Sequence, residues 1–319
     1  MVVPPLMDDG FAGEPAKRVL NYVRQRKLDG AGVVGIYCGY APIELIQAMG
    51  LVPAVLCAFS RVPIDAAETV LPVNLCPLIK SSYGFIIEGT CPFYGLSQAV
   101  IAETTCDGKK KMFELIADIK PTHVMDLPQV PDEAEALRNW RQMILRLRAF
   151  LEQQFGCRAD EDKIEAGLQL ANRKNALMQQ IFDYAARKPS ALHWTEIYDV
   201  GFLAQVATGQ EMVPILEKLL QRLEKRVGDG LHFGTPNAQR VLVTGCPVGG
   251  DATKIFKVIE NAGGIVVAPD ACTGIKAFAG RFQENSGDPI GAMAERYLKI
   301  PCACMTPNQP RLEDLSALI

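Results

Sequence analysis

Four of the ten cysteines in this 319-residue chain each follow a short apolar run that predicts a β-strand. They are Cys38 after VVGIY, Cys106 after AVIAETT, Cys246 after VLVTG and Cys272 after GIVVAPDA. Because open parallel sheets form their sites beyond the carboxyl ends of their strands, thiols at strand ends can meet in one crevice. The chain has only three histidines, so sulfur is the expected source of any reactivity.

The spacing of the cysteines limits the kind of metal site they can form. No two of them make a C-x-x-C pair, which disfavours both a zinc site and a thioredoxin-like dithiol. Iron–sulfur clusters need only thiolates and therefore suit many cysteines with little histidine. Cys302 and Cys304, just after Pro301, are candidates for that role. Taken singly, any cysteine is at least as well explained as a small buried hydrophobe.

The remaining cysteines are interpreted one by one. Cys57 lies in an apolar predicted strand and Cys157 at the end of an amphipathic helix, so neither is expected to bind a ligand. Cys76 and Cys91 each precede a proline in a turn-like context that fits either ligation or packing. Cys246 can instead pack beneath its Gly-Pro turn.

Charged residues beside these cysteines have two interpretations each. Glu44 and Glu103 flank strand-end cysteines and are candidate proton donors or acceptors in a reduction, or plain surface carboxylates. Lys109, Lys110 and Lys111 follow Cys106, where a solvated first helical turn is the favoured explanation. The alternative is a cationic charge that favours the reduced state of a nearby cluster.

A glycine-rich turn at residues 245–250 has the first half of a phosphate-binding loop. The lysine and hydroxyl residue that should follow are replaced by Asp251 and Ala252. Without them the loop lacks its phosphate and magnesium contacts, so nucleotide binding is not expected here.

The predicted helices and strands that position these residues divide the chain into four segments. Residues 1–30 predict a helical lead-in, and residues 31–130 alternate strand and helix as a first α/β domain. Residues 131–235 have amphipathic helical periodicity and form a linking region. Residues 236–319 return to α/β but supply only two strands. The predicted fold class is α/β, with two parallel-sheet domains of which the second is incomplete.

Composition excludes several classes of function. The net charge of −3 disfavours nucleic acid or an anionic membrane as the main partner. No apolar run is long enough to span a bilayer, and the first fifteen residues lack the features of a signal peptide. A cytoplasmic protein without persistent disulfides is expected.

Six blocks, each with a cysteine, carry a family resemblance that covers nearly the whole chain. They resemble the 2-hydroxyacyl-CoA dehydratase and benzoyl-CoA reductase superfamily, and within it the double-cubane cluster proteins. In chain order the blocks are GIYCGYAPIELIQAMG, LPVNLCPLIKSSYGF, ETTCDGKKKM, VTGCPVGG, ACTGIKA and KIPCACMTPNQPRL.

The resemblance implies two flavodoxin-like domains, a homodimer and an iron–sulfur cofactor. That cofactor is either a [4Fe–4S] cluster held by three cysteines or a bridged double cubane with three cysteines on each half. Electrons would come from a separate activator protein that hydrolyses ATP, which agrees with the absence of a phosphate loop here.

The resemblance also implies which cysteines of this chain bind the cluster, because the blocks can be matched to those of the family. Cys76 and Cys106 match the most general cluster-binding positions of the superfamily. The additional cysteines of double-cubane members are matched by Cys38, Cys272, Cys302 and Cys304, with Cys246 in reserve. Family members continue with a further cysteine-bearing loop, so this chain is expected to be shortened at its C-terminus.

Three functions are therefore considered. The leading one is an iron–sulfur reductase of the double-cubane type that delivers low-potential electrons to a small substrate. The second is one component of a 2-hydroxyacyl-CoA dehydratase that works through a ketyl radical. The third is a non-catalytic relative whose cysteines are structural.

Overall fold

The computed structural model describes residues 3–319, which form two compact units. The four-stranded unit comprises Val23–Gln169 and Gly280–Ala317. The two-stranded unit comprises the described residues up to Tyr22 together with Leu170–Ala279 and Leu318–Ile319. The four-segment division made from the sequence stays a prediction.

A parallel sheet is the centre of the four-stranded unit. Its strands are β1 (Val33–Ile36), β2 (Val52–Val55), β3 (Ala99–Glu103) and β4 (Thr122–Met125), in the order β2-β1-β3-β4. Every residue of β1 and β3 is buried, as expected for central strands covered on both faces. The strand order reverses direction between β1 and β3, which is the flavodoxin-like arrangement. The predicted α/β class is confirmed.

The described part of the chain contains thirteen α-helices. In chain order, α1 to α13 are Pro15–Leu28, Ile43–Ala48, Ile64–Ala67, Pro77–Ile87, Pro92–Leu96, Asp107–Ala117, Ala136–Phe155, Glu161–Ala186, Trp194–Val206, Gly209–Gly228, Lys254–Asn261, Pro289–Leu298 and Gln309–Leu318. No helix within residues 3–319 combines the length and the apolar character needed to cross a bilayer.

Helix α7 packs against α12, the helix that precedes Cys302 and Cys304. Its buried residues Trp140, Ile144, Leu147 and Leu151 recur every three or four positions and form one apolar face. Helix α12 packs against α7 and is also held by an ion pair, in which the Arg141 Nε lies 3.1 Å from the Asp288 carboxylate.

The two-stranded unit contains β5 (Gln239–Thr244) and β6 (Gly264–Asp270), which pair in parallel with an irregularity after Val241. Helices α9 and α10 both begin with capping boxes, formed by His193 with Glu196 and by Thr208 with Glu211. These caps satisfy backbone N–H groups that have no partner inside the helix.

A close contact with α3 holds α4, the helix whose N-cap residue is Cys76. Gly84 of α4 packs so tightly on α3 that a Cβ there would stand 1.9 Å from the Pro63 carbonyl oxygen. We expect Gly84→Ala to lower the free energy of unfolding by about 1–3 kcal/mol, as overpacking does in other cores. Chemical denaturation followed by circular dichroism measures this change.

The matched control is Gly95→Ala in α5, where a Cβ would meet no heavy atom within 4 Å. Because alanine favours helix over glycine, this variant should be as stable as the wild type or more so. If Gly84→Ala proves equally stable, the tight contact of α3 with α4 is wrong.

Candidate functional site

The carboxyl ends of β1 and β3 place several sequence-predicted residues together. Cys38 follows β1 by two residues, and Glu103 is the last residue of β3. The two strands are neighbours at the point where the strand order reverses, which is where open α/β sheets form a crevice. The meeting of strand-end residues is thus a direct consequence of the sheet topology.

Cys38 is contacted by two side chains from the segment that follows β3. The Lys109 Nζ lies 2.6 Å from its Sγ, and the Thr105 Oγ1 lies 3.3 Å away. Burial raises the pKa of the Cys38 thiol, while the Lys109 ammonium acts in the opposite direction. Burial would lower the pKa of Lys109, but Cys38, Cys57 and Glu103 hold it well above its usual range.

The favoured explanation of the three lysines as a solvated turn is wrong for Lys109. Lys110 and Lys111 pair instead with the acidic side chains of Asp107 and Glu114 respectively, in contacts open to solvent. Lys109 points its ammonium at a sulfur, because it lies on the side of α6 that faces the sheet edge.

Glu103 is fully buried, so its explanation as a surface carboxylate is wrong. Its carboxylate accepts hydrogen bonds from the backbone N–H groups of Cys38 (3.2 Å) and Ala41 (3.0 Å). Burial raises its pKa to about 7, against the lowering effects of Lys109 and these bonds. The carboxylate therefore fixes the Cys38–Ala41 turn, and its role in proton transfer stays a prediction.

Glu44 has a structural partner. Its Oε2 accepts a hydrogen bond of 2.7 Å from the Tyr297 hydroxyl, which in turn accepts one of 3.2 Å from the Ile43 backbone N–H. This contact joins the start of α2 to α12, the helix that leads into Cys302.

Cys302 and Cys304 are brought together by a turn after α12. The Met305 N–H donates to the Cys302 carbonyl at 3.1 Å, and the two thiols are hydrogen-bonded to each other. This contact is the main reason that the pKa of Cys304 is raised, and nearby Cys38 adds to it. Cys38, Cys302 and Cys304 therefore form one group, which we call the inner thiols.

Tyr40 is part of this group, although no sequence pattern selected it. Its hydroxyl oxygen lies 3.7 Å from the Cys304 Sγ and is also hydrogen-bonded to Cys302. Burial raises the pKa of Tyr40, and the two sulfurs raise it further. The only sequence signal was its position two residues after Cys38, in the loop beyond β1.

Cys76 and Cys106 form a second group, which we call the outer thiols. Each is the N-cap residue of a helix, α4 or α6, and both side chains are exposed and make no capping hydrogen bond. The first turns of the two helices touch, because a Cβ on Gly108 would stand 2.7 Å from Ile79. Negative charge is favoured at helix N-termini, so this position suits anionic sulfur ligands.

The remaining cysteines of the four-stranded unit are Cys57, Cys91 and Cys157. Cys91 caps α5 by accepting from the Tyr94 N–H at 3.3 Å. Cys57 lies two residues beyond β2 rather than inside a strand, and its thiol donates to the Tyr37 carbonyl at 2.8 Å. Cys157 directly follows the Gly156 cap of α7.

Cys272 and Cys246 belong to the two-stranded unit. They follow β6 and β5, and the two loops are joined by Thr273, whose hydroxyl donates to the Val248 carbonyl at 2.8 Å. Cys272 is partly buried and Cys246 is exposed. Their part in ligand binding stays a prediction.

The donor chemistry of the inner and outer thiols fits a cluster better than a single ion. Among residues 3–319, no three histidine, cysteine or acidic side chains converge on one metal position. An iron–sulfur cluster distributes its thiolate ligands over several irons, so they need not converge on a single point. Thiols with cationic and hydroxyl donors beside them, and no histidine, are a suitable ligand set.

The contact between Tyr297 and Glu44 can be tested by removing one oxygen. Tyr297→Phe should lower the free energy of unfolding by about 1–3 kcal/mol, because Glu44 and the Ile43 N–H both lose a partner. The control Tyr94→Phe removes a buried hydroxyl that has no hydrogen-bond partner in the described chain, and should cost nothing. Equal losses of stability in urea denaturation would contradict the assigned contact.

Comparison with known proteins shows the family to which the chain belongs. The family described as 2-hydroxyglutaryl-CoA dehydratase, D-component, matches residues 38–319. A protein of Escherichia coli named "Putative dehydratase subunit YjiM" is 38% identical over 298 residues, which are 93% of this chain and 77% of the relative. The beta chain of the lactoyl-CoA dehydratase of Anaerotignum propionicum is 23% identical over 294 residues, 90% of this chain and 73% of the relative.

A component of the benzoyl-CoA reductase of Thauera aromatica is 22% identical over 265 residues, 76% of this chain and 60% of the relative. The superfamily resemblance carried by the six cysteine blocks is confirmed by these matches. The chain belongs to the 2-hydroxyglutaryl-CoA dehydratase D-component family, and its relatives include components of both dehydratases and a reductase.

Proposed function

We propose that the chain is an iron–sulfur reductase of the double-cubane type. The observation that carries this proposal is the grouping of the inner thiols at the carboxyl edge of β1 and β3, with Lys109 against Cys38. The outer thiols lie at the starts of α4 and α6 in the same four-stranded unit. Relatives that are components of dehydratases and of a reductase support an enzymatic role.

In this proposal the inner and outer thiols hold the cofactor. The cofactor would supply low-potential electrons, one at a time, to a small molecule that is hard to reduce. The electrons come from an activator protein that hydrolyses ATP, and the working form is a homodimer in the cytoplasm.

The chain's own residues would control charge around the cofactor. Lys109 places a cation against one ligand sulfur, which favours the state with the extra electron. Burial raises the pKa of Glu103 to about 7, so this carboxyl can take up a proton near the site. Its two backbone donors keep the Cys38 turn in place during the charge change.

A second candidate is one component of a 2-hydroxyacyl-CoA dehydratase. It is favoured by the names of two relatives, one a dehydratase component and the other part of a lactoyl-CoA dehydratase. This function needs a second protein component and a coenzyme A thioester as substrate.

Iron and sulfide analysis of anaerobically purified protein separates the candidates. About eight irons per chain are expected for a double cubane and about four for a dehydratase-type cluster. Protein that stays colourless and free of iron after anaerobic reconstitution contradicts both and supports a non-catalytic relative.

A pair of cysteine variants tests the ligand assignment. If Cys106 holds one of two cubanes, Cys106→Ser should lower the iron content by about half. The control Cys157→Ser changes a partly buried thiol beyond the end of α7 and should leave iron unchanged. The same iron content in both variants would exclude Cys106 as a ligand.

The charge of Lys109 is tested by the reduction potential. Lys109→Met removes the cation that lies 2.6 Å from the Cys38 sulfur, so the potential should become more negative. A shift on the order of 60 mV corresponds to a tenfold change in a one-electron equilibrium. Redox titration followed by EPR measures it, with exposed Lys111→Met as the control that should not shift.

A further inference from the structure

The Tyr40 hydroxyl contacts the sulfurs of two proposed ligands at once. It lies 3.7 Å from the Cys304 Sγ, within the range of hydrogen bonds to sulfur, and it also bonds Cys302. Tyr40 is 2% exposed, so bulk water does not replace this contact. The hydroxyl therefore lies within hydrogen-bonding reach of both sulfurs, and its single proton can be donated to one of them.

The ring of Tyr40 is held in place by an aromatic neighbour. It meets the Trp140 ring edge to face, with 6.3 Å between ring centroids and 89° between the ring planes. Trp140 is fully buried and lies on the apolar face of α7. A tyrosine with only two side-chain torsions and such a neighbour has little freedom to move its hydroxyl.

The backbone of the turn that carries the two cysteines is held by hydrogen bonds on both sides of the pair. The Cys302 N–H donates to the Ile300 carbonyl at 2.7 Å, and the Met305 N–H donates to the Cys302 carbonyl at 3.1 Å. The next residue, Thr306, donates from its N–H to the Gln129 carbonyl at 2.7 Å. Because both partners are fixed, the hydroxyl and the sulfurs are organised before any cofactor binds.

The chemistry of a ligand sulfur decides the direction of the hydrogen bond. A cysteine that binds iron has lost its proton and can only accept, whereas a tyrosine hydroxyl can donate. In the loaded protein the proton between Tyr40 and Cys304 must therefore come from the phenol. Donation to an ionised sulfur is stronger than donation between neutral groups.

We propose that Tyr40 is a positioning residue that donates a hydrogen bond to the ligand sulfur of Cys304 and thereby raises the reduction potential of the cluster. This inference rests on the proposed function. Hydrogen bonds to cluster sulfurs are one of the factors that set the potential, because they offset the negative charge gained on reduction. Tyr40 acts on the sulfur of Cys304, and Lys109 acts on the sulfur of Cys38.

The first test compares Tyr40→Phe with Tyr94→Phe in the reconstituted full-length protein. Tyr40→Phe keeps the ring against Trp140 and removes only the donor, so iron content should be retained while the potential becomes more negative. Tyr94→Phe removes a buried hydroxyl that has no partner in the described chain, and its potential should equal that of the wild type. EPR-monitored redox titration provides the values, and an unchanged potential in Tyr40→Phe overturns the proposal.

The second test needs no cluster and therefore separates this inference from the proposed function. In metal-free protein, Cys304→Ala should change the hydrogen-bond state of one tyrosine, read as a difference in the tyrosine doublet of ultraviolet resonance Raman spectra. Cys76→Ala changes the exposed N-cap residue of α4, whose thiol makes no capping hydrogen bond, and is the control without a change. An identical doublet in Cys304→Ala and wild type overturns the Tyr40 contact, whether or not Tyr40→Phe folds.

The two tests distinguish a failure of the proposed function from a failure of the role assigned to Tyr40. Wild-type protein that takes up no iron refutes the proposed function, while the Raman difference still reports on the contact. Wild-type protein that takes up iron and shows equal potentials with and without the Tyr40 hydroxyl refutes the role of Tyr40 alone.

Discussion

The candidate site depends on one buried carboxylate, that of Glu103 at the end of β3. An isolated ionised carboxylate in a protein interior costs several kcal/mol, and such groups persist where they are paired and hydrogen-bonded. Glu103 has two backbone N–H donors from the Cys38–Ala41 turn and the nearby ammonium of Lys109. The turn that carries both Cys38 and Tyr40 is therefore held to the neighbouring strand by the need to solvate this one group.

Lys109 connects the charge of Glu103 to that of the inner thiols. Its ammonium interacts with the Cys38 sulfur and with Glu103, so one cation is shared between two acidic groups. Any negative charge added near Cys38 is stabilised by the same cation that stabilises the carboxylate. A partly buried lysine in this position is consistent with a site in which charge changes, because a static core is often more stable without buried charge.

Those parts of the site that follow from local patterns could be predicted from the sequence. Apolar runs located β1 and β3, and parallel topology then requires Cys38 and Glu103 to meet at one edge of the sheet. The turn that joins Cys302 to Cys304 is also local, since only one residue separates them. The α/β class and the two strands of the last segment follow from the same alternation of strand and helix patterns.

The parts that were missed depend on contacts between residues distant in sequence. Tyr40 meets Cys304 across 264 positions, and Glu44 meets Tyr297 across 253. Periodicity describes which face of an element is buried but not which partner that face meets, so these contacts are not visible in a single sequence. Lys109 was misjudged for a related reason, because three adjacent lysines point in different directions from a helix, and only tertiary packing selects the one that is withdrawn from solvent.

The two thiol groups offset negative charge in different ways, and this difference follows from their place in the fold. The outer thiols, Cys76 and Cys106, are exposed and begin two helices, so water and the helix N-termini can stabilise anionic sulfur. The inner thiols are less exposed and depend on side-chain partners, namely Lys109 and Thr105 at Cys38 and Tyr40 at Cys302 and Cys304. Since desolvated donors act in a lower effective dielectric than solvated ones, each inner donor has more influence on charge at sulfur than any solvent contact of the outer group.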